Sequence, residues 1–218
     1  MTTIYLIRHS VRMPTSTIIE YHTNQKELIL NEKIILNTLG EKRAEVLCNQ
    51  EELQNIDAVY TSNCVRTLQT AKYMLEKQNL KVTIDDRLDE RRVGKKNDDS
   101  VPDWFSRQYY DENYKTEGGE SQKDVRERVD EVIEEIIKKH KNKRVAVFSH
   151  GYAITFYLLK YCELVDIKEQ HLTLKFKNKI IFDKAINAPE VFKLSIEGDK
   201  IKDIELIEIK ELDYMRGI

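Results

Sequence analysis

The sequence predicts an α/β fold organised on a parallel sheet, and three observations lead there. Short apolar runs such as Ile4 to Ile7 and Arg144 to Ser149 are bounded by polar residues, the signature of strands buried on both faces. Strands of that kind belong to parallel sheets. Between the runs lie segments with helical spacing, the clearest carrying Val125, Val129, Val132, Ile133, Ile136 and Ile137 opposite a charged face. No internal repeat, low-complexity linker or break in composition divides the chain, so residues 1–218 are expected to form one α/β domain.

Composition narrows the function classes. At 40% apolar and 34% charged, the chain is ordinary for a soluble globular protein. Its 36 basic and 38 acidic residues leave a net charge of −2, which supplies no global field for nucleic acid. Attraction for an anion must therefore be local. No apolar run reaches the roughly 18 residues of a membrane span, and no basic and apolar leader precedes the first strand. Cys48, Cys64 and Cys162 are odd in number and widely spaced, with no CxxC pair. Reduced thiols and a cytoplasmic location are the expectation.

Element by element, the first strand, Ile4 to Ile7, runs into Arg8-His9-Ser10-Val11-Arg12. Ligands bind parallel sheets outside the carboxyl ends of the strands, so Arg8, His9 and Arg12 are expected at a cleft. Two permanent cations favour the neutral form of the imidazole between them, and a free ring nitrogen is then nucleophilic. The planar arginine fork suits phosphate oxygens. Residues 13–36 are polar and irregular, an excursion over the cleft mouth ending in a strand-like stretch at 34–36. A helix follows from about Asn37 to Leu53. Asp57 to Ser62 reads as a second strand, with Ser62 or Asn63 capping the next helix. Arg66 lies in that helix's first turn, where a cation opposes the helix dipole unless an anion sits there.

Lys81 to Ile84 is a third strand, followed by the charge-dense turn 85–92. Residues 97–116 are polar and aromatic, a lid-like insertion with a short helix. Gly118-Gly119-Glu120-Ser121 opens the long helix, and Arg144 to Ser149 is the fourth strand, running into His150-Gly151 and another helix from Tyr152 to about Lys160. Residues 172–182 look extended. The segments 191–196 and 201–209 read as a hairpin at the sheet edge.

Parallel strands place His9, His150, Arg8, Arg12, Arg66 and a carboxylate near 90 on one side of the sheet. Two histidines and a carboxylate could bind zinc or iron, but there is no HxxxH or HxH spacing, and the arginines would repel a cation. No metal and no cofactor are expected. His22, His140 and His171 read as surface or core residues. GxGxxG, Walker and GxSxG motifs are absent.

Five motifs in order now carry a resemblance: Leu6-Ile7-Arg8-His9; Tyr60-Thr61-Ser62 with Arg66 to Ala71; Leu88-Asp89-Glu90 with Gly94; Gly119-Glu120-Ser121 with Arg128; and Ser149-His150-Gly151. The chain resembles the histidine phosphatase superfamily, the phosphoglycerate mutase-like group, over about residues 3–160. The resemblance implies a three-layer sandwich, a mostly parallel central sheet flanked by helices. It implies that His9 takes the phosphoryl group and that Glu90 protonates the leaving oxygen. Arg8, Arg66 and His150 then hold the phosphoryl oxygens, and Gly151 counts among the substrate-binding positions. Composition alone leaves Asp89 as an equal alternative to Glu90.

Some positions depart from the pattern. Ser10 replaces the usual Gly, with the expectation that it crowds the phosphate or adds a hydroxyl donor. Arg8 to Pro14 also resembles the RHGxRxP motif of the acid-phosphatase branch, where the second Arg binds phosphate, and Arg12 takes that place. That branch has Asp after the second His, whereas Gly151 and Tyr152 follow here. Residues 95–98 lack the acidic-glycine ending common after Gly94.

The expected function is phosphomonoester hydrolysis through a phosphohistidine on His9. The alternatives are a cofactor-dependent phosphoglycerate mutase and a non-catalytic phospho-ligand-binding protein of the same fold. The expected partner is a small phosphorylated substrate, with no nucleic acid and no membrane. Lys95, Lys96, the aromatics from Trp104 to Tyr114 and the 14–36 loop are the segments that could line its pocket.

Overall fold

A computed structural model describes residues 1–14, 24–95, 104–168 and 170–214. Its centre is β1 (Thr2–Arg8), whose side chains alternate between two apolar layers. Ile4 and Leu6 enter one core cluster, while Tyr5 and Ile7 enter the other. All four are essentially unexposed. Burying each side chain contributes about 1.5–3 kcal/mol, which fixes the strand's depth and register.

The main sheet also holds β2 (Ala58–Thr61), β3 (Val82–Ile84), β4 (Arg144–Ser149), β8 (Val191–Glu197) and β9 (Lys200–Leu206), in the order β3-β2-β4-β1-β8-β9. The pairs β3-β2, β2-β4 and β4-β1 are parallel, and the expected C-terminal hairpin adds antiparallel on β1. Arg8 pairs with Ser149, Phe148 with Thr61, and Thr61 with Ile84, so the loops leaving these strands emerge at one edge.

Helices cover both faces, giving the three layers. On one side α2 (Thr38–Cys48) and α3 (Val65–Gln78) pack with Tyr5, Ile7 and Phe148. On the other, α5 (Gln122–Lys139) and α6 (Gly151–Leu158) pack with Ile4, Leu6 and Val147. The stripe from Val125 to Ile137 is buried as its spacing requires. Ser121 and Asp124 close a capping box at the start of α5. Gly40, in the first turn of α2, lies against the loop after His9. A Cβ there would fall 2.0 Å from the Val11 carbonyl oxygen, so only glycine permits that approach.

Several elements differ from expectation. Residues 34–36 form no strand; Leu36 makes one isolated bridge to Arg12. The helix expected to reach Leu53 ends at Cys48 and is followed by a 3-10 turn, Glu51–Leu53. Within the supposedly irregular excursion lies α1 (Gln25–Glu32), none of whose residues is buried. Neither Ser62 nor Asn63 caps α3: its N-cap is Cys64, which makes no side-chain cap bond. The extended stretch at 172–182 is two strands, β6 (His171–Phe176) and β7 (Lys179–Ala185), which join β5 (Glu163–Lys168) in a separate antiparallel sheet. The short helix of the aromatic insertion is α4 (Trp104–Tyr110), and the chain's described end is α7 (Lys210–Tyr214). Among the described residues no helix is long and apolar enough to cross a membrane. All three cysteines are unpaired and buried.

Candidate active site

The two strands ending in histidine lie side by side, and they bring the two imidazoles together. The ring centroids of His9 and His150 are 5.1 Å apart, edge to face at 65°. The backbone N–H of His9 donates to the Ser149 carbonyl at 2.9 Å, locking the end of β1 to β4. The Nδ1 of His9 lies 2.7 Å from the Ser10 carbonyl oxygen. A carbonyl only accepts, so Nδ1 carries the hydrogen and Nε2 keeps its lone pair. Burial, then Arg66 and Arg8, push the His9 pKa well below its ordinary value, and the ring is neutral at pH 7.

The His150 tautomer follows from the same reasoning. Arg66 Nη2 donates to His150 Nδ1 at 3.1 Å, so the ring hydrogen is on Nε2 and points to Ser62 Oγ at 2.7 Å. Thr67 Oγ1 donates to the Cys64 carbonyl at 2.6 Å, which leaves it to accept from Ser62 at 2.8 Å. A relay Arg66–His150–Ser62–Thr67 thus orients the second imidazole. Burial, then Arg66, hold His150 well below its ordinary pKa. His150 is fully buried, with its ring 5.1 Å from that of His9. The same relay explains the Ser62 correction: its hydroxyl joins the histidine to Thr67 and Cys64 at the start of α3 instead of capping that helix.

Arg66 also donates through Nη1 to the Asn31 carbonyl, 2.7 Å away in the last turn of α1. The cation that opposes the α3 dipole therefore adds a second donor to a carbonyl in the last turn of another helix, which also accepts from the Ile34 N–H at 3.3 Å. Arg8 donates through Nη1 to the carbonyls of Ile186 and Asn187, at 2.6 and 3.0 Å. The Nε groups of Arg8 and Arg66 are buried without a hydrogen-bond partner among the described residues. Arg8, His9, Arg12, Arg66, Glu90 and Gly151 all line one cleft of about 390 Å³.

Between the two adjacent carboxylates, the structure distinguishes clearly. Glu90 reaches the His9 cleft, and its Oε1 accepts from the N–H groups of Arg91 and Ala153, at 2.9 and 3.3 Å. The Ala153 bond places it at the N-terminus of α6. Asp89 instead accepts from the Asn63 N–H at 2.8 Å and lines a neighbouring cleft. Burial pushes Asp89 up to about 6. The turn carrying both residues is clamped by Arg128, which donates to the carbonyls of Arg87 and Asp89 and pairs with Glu120 at 2.9 Å. Burial raises the Glu120 pKa, but Arg128 outweighs it and holds the carboxyl below its ordinary value. The motifs contained Glu120 and Arg128, but nothing in their local pattern signals a clamp spanning 41 residues from Arg87.

Ser10 is fully buried beside His9; its N–H donates to Thr70 Oγ1 at 3.0 Å, and its hydroxyl has no hydrogen-bond partner among the described residues. Of the segments expected to line a pocket, Trp104, Phe105, Tyr109, Asn31 and Ile34 do so. Lys95 does not; it is exposed and lies 3.9 Å from Glu117. Tyr110 is exposed, and Tyr114 stacks under Arg107 at 4.5 Å. Lys96, His22 and residues 97 and 98 lie outside the described residues. His140 bonds Tyr60 at 2.9 Å, and His171 pairs with Asp183 at the surface.

One cluster of metal-ligating types, Cys64, Asp89 and His150, has its ligand atoms within 4.8 Å of one another. Burial pushes the Cys64 thiol up to about 12, Asp89 accepts from the Asn63 N–H, and both nitrogens of His150 are already engaged. This donor set does not suit a cation.

A family model described as the histidine phosphatase superfamily, branch 1, matches residues 4–176. Phosphoserine phosphatase 1 of Hydrogenobacter thermophilus is 32% identical over 141 residues, covering 61% of this chain and 65% of the relative. The chain thus spans just under two thirds of that relative's length. Among solved structures, a mycobacterial glucosyl-3-phosphoglycerate phosphatase superposes with a TM-score of 0.64 at 19% identity, covering 94% of this chain and 96% of the other. YhfR of Bacillus stearothermophilus gives 0.62 at 22% identity, covering 92% and 94%. At these identities the structural matches establish the fold.

Proposed function

The chain belongs to the histidine phosphatase superfamily, and on that premise we propose that it is a phosphomonoester hydrolase acting through a phosphohistidine on His9. The observation that carries this reading is the tautomer. With Nδ1–H committed to the Ser10 carbonyl, His9 directs an unprotonated Nε2 to the base of a cleft flanked by guanidinium groups.

In the first displacement, the Nε2 lone pair forms a bond to phosphorus as the bond to the ester oxygen breaks. Glu90 delivers its proton to that leaving oxygen. In the second, water attacks the phosphohistidine while the Glu90 carboxylate takes its proton. The P–N bond breaks, its electron pair returns to Nε2, and inorganic phosphate leaves. Phosphoryl transfer asks mainly for in-line positioning and charge around the equatorial oxygens. Arg8, Arg12 and Arg66 supply that charge, and the Nε groups of Arg8 and Arg66, unsatisfied among the described residues, are donors waiting for an acceptor. His150 keeps Arg66 in place. The guanidiniums take the role a divalent ion plays elsewhere, so the reaction is read as metal-independent, on a small phosphorylated substrate. Helical layers on both faces of one sheet support a single domain, and three reduced cysteines suit a cytoplasmic setting.

The test is hydrolysis of para-nitrophenyl phosphate with EDTA present, with wild type beside His9→Ala. Turnover in the wild type and none in the variant is expected. Substantial residual turnover would remove His9 from the nucleophile's role. A phosphoenzyme that forms but does not hydrolyse would point to a mutase, and absence of both turnover and phosphoenzyme to a binding protein.

A further inference from the structure

The cleft has two chemically different ends. Among the described residues, the charged side chains lining it are Arg8, Arg12, Arg66 and Glu90. Three guanidiniums and one carboxyl gather at the phosphoryl end, where the transferred group brings about two negative charges. Among the described residues, a carboxylate elsewhere on the substrate would meet no charged side chain lining the opposite end.

The other end is aromatic. Trp104 and Phe105 stand on α4 beside Tyr109, and Tyr152 comes from α6. The Phe105 ring is 5.4 Å from Tyr109 and 6.4 Å from Tyr152, and Tyr109 is 6.2 Å from Tyr152, all tilted. This wall is braced from behind by Arg91, which is fully buried with its guanidinium 5.6 Å from the Tyr152 ring. Arg91 donates to the Gln108 side chain and to the Glu120 carbonyl, and Gln108 in turn donates to the Tyr152 hydroxyl at 3.2 Å. The cation thus ties α4, α6 and the Glu90 turn together.

We propose that the leaving group taken here is uncharged and carries an aromatic ring, so that the preferred substrates are phosphomonoesters of ring-bearing alcohols. The inference rests on the phosphatase reading and adds the substrate class to it. An ammonium or carboxylate on the leaving group would be desolvated against these rings without a partner. The neighbouring cleft, which shares Asn31 and Glu90, offers no relief. All three of its arginines face carboxylates: Arg128 and Arg92 face Glu120, at 2.9 and 3.8 Å, and Arg87 faces Asp85 and Glu135.

The experiment compares kcat/KM for benzyl phosphate, methyl phosphate and phosphoserine with the wild-type chain. The benzyl and methyl alcohols leave with similar ease, and serine slightly more easily, so a benzyl advantage reports recognition. Benzyl phosphate is expected to exceed both others by about tenfold or more, the scale of burying part of one ring. Phe105→Ala and Tyr152→Leu should each shrink the benzyl-to-methyl ratio. Phosphoserine hydrolysed as well as benzyl phosphate would overturn the proposal.

A second readout does not need turnover. Trp104 is the sole tryptophan of the chain, so its emission reports occupancy of the cleft. Benzylphosphonate, which cannot be hydrolysed, should change that emission and bind about tenfold more tightly than methylphosphonate. Equal affinities would refute the aromatic subsite. Tight benzylphosphonate binding without hydrolysis of any ester would instead sustain the subsite and count against the phosphatase reading.

Discussion

Two neutral imidazoles buried side by side make folding stability depend on pH in a direction that can be worked out. His9 and His150 are both held well below their ordinary pKa, chiefly by burial. In the unfolded chain each titrates near 6.5, so as pH falls the unfolded state takes up two protons that the folded state refuses. Their stabilisation is complete above about pH 6.5 and is lost on acidification. Asp89 acts in the opposite sense. Its folded pKa is raised to about 6, so it binds a proton on folding and recovers stability as pH drops. Between pH 7 and pH 5 each histidine costs at most about 1.9 kcal/mol, the limit set by its unfolded pKa near 6.5, and Asp89 offsets part of that loss. His140 shifts in the same direction as the buried pair, but it is common to all variants and cancels in comparison. Urea unfolding at a series of pH values measures this, with His150→Asn alongside the wild type. The variant should lose less than the wild type over the same range, by up to about 1.9 kcal/mol. If both proteins lost the same amount, His150 would not be buried and neutral, and the relay through Ser62 would be wrong.

Other perturbations test individual contacts. Glu90→Gln should slow alkyl phosphate hydrolysis by about a hundredfold or more and para-nitrophenyl phosphate by much less, because only the poor leaving group needs the proton; equal losses would move the acid role elsewhere. Arg12→Ala should weaken inhibition by inorganic phosphate about tenfold or more, the scale of one charge-assisted hydrogen bond. An unchanged inhibition constant would exclude that contact. Ser62→Ala leaves the His150 Nε2–H unpaired and should cost about 1–3 kcal/mol in urea unfolding, together with a fall in kcat. A variant as stable and active as wild type would show that the relay is not used.

The sequence carried the parts of the fold that repeat a simple period. The α5 stripe and the doubly buried runs of β1 and β4 satisfy one rule along their whole length, and both were legible. α1 was not, because Leu28, Ile29 and Leu30 are consecutive and the helix buries nothing, leaving no face for a pattern to mark. β5 escaped for a related reason: Ile167 is its sole buried residue, so it lacks the alternation of a half-buried strand. Within the site, the charged ends of strands announced themselves. Ser62 was read as a cap, since a hydroxyl before a helix normally serves that helix. One of its partners is a ring 88 residues away, a choice made by tertiary packing alone. Glu90 and Asp89 were indistinguishable until the backbone turned one toward His9 and the other toward Asn63.

The strand that bears His9, the nucleophile proposed above, is first in the chain and central in the sheet. Ile7 is paired with Phe148 on one side and Val191 on the other, and the Arg8 side chain is held by carbonyls 178 and 179 residues downstream. Loop closures of that length are slow to form and are made only after both partners exist. A growing chain therefore carries His9 and Arg8 from the outset but lacks the carbonyls that hold Arg8 until residues 186 and 187 have been made. On the proposed function, phosphate affinity is then an assay for completed folding: a truncation before Ile186 would keep every motif residue of the site and remove the grip on Arg8.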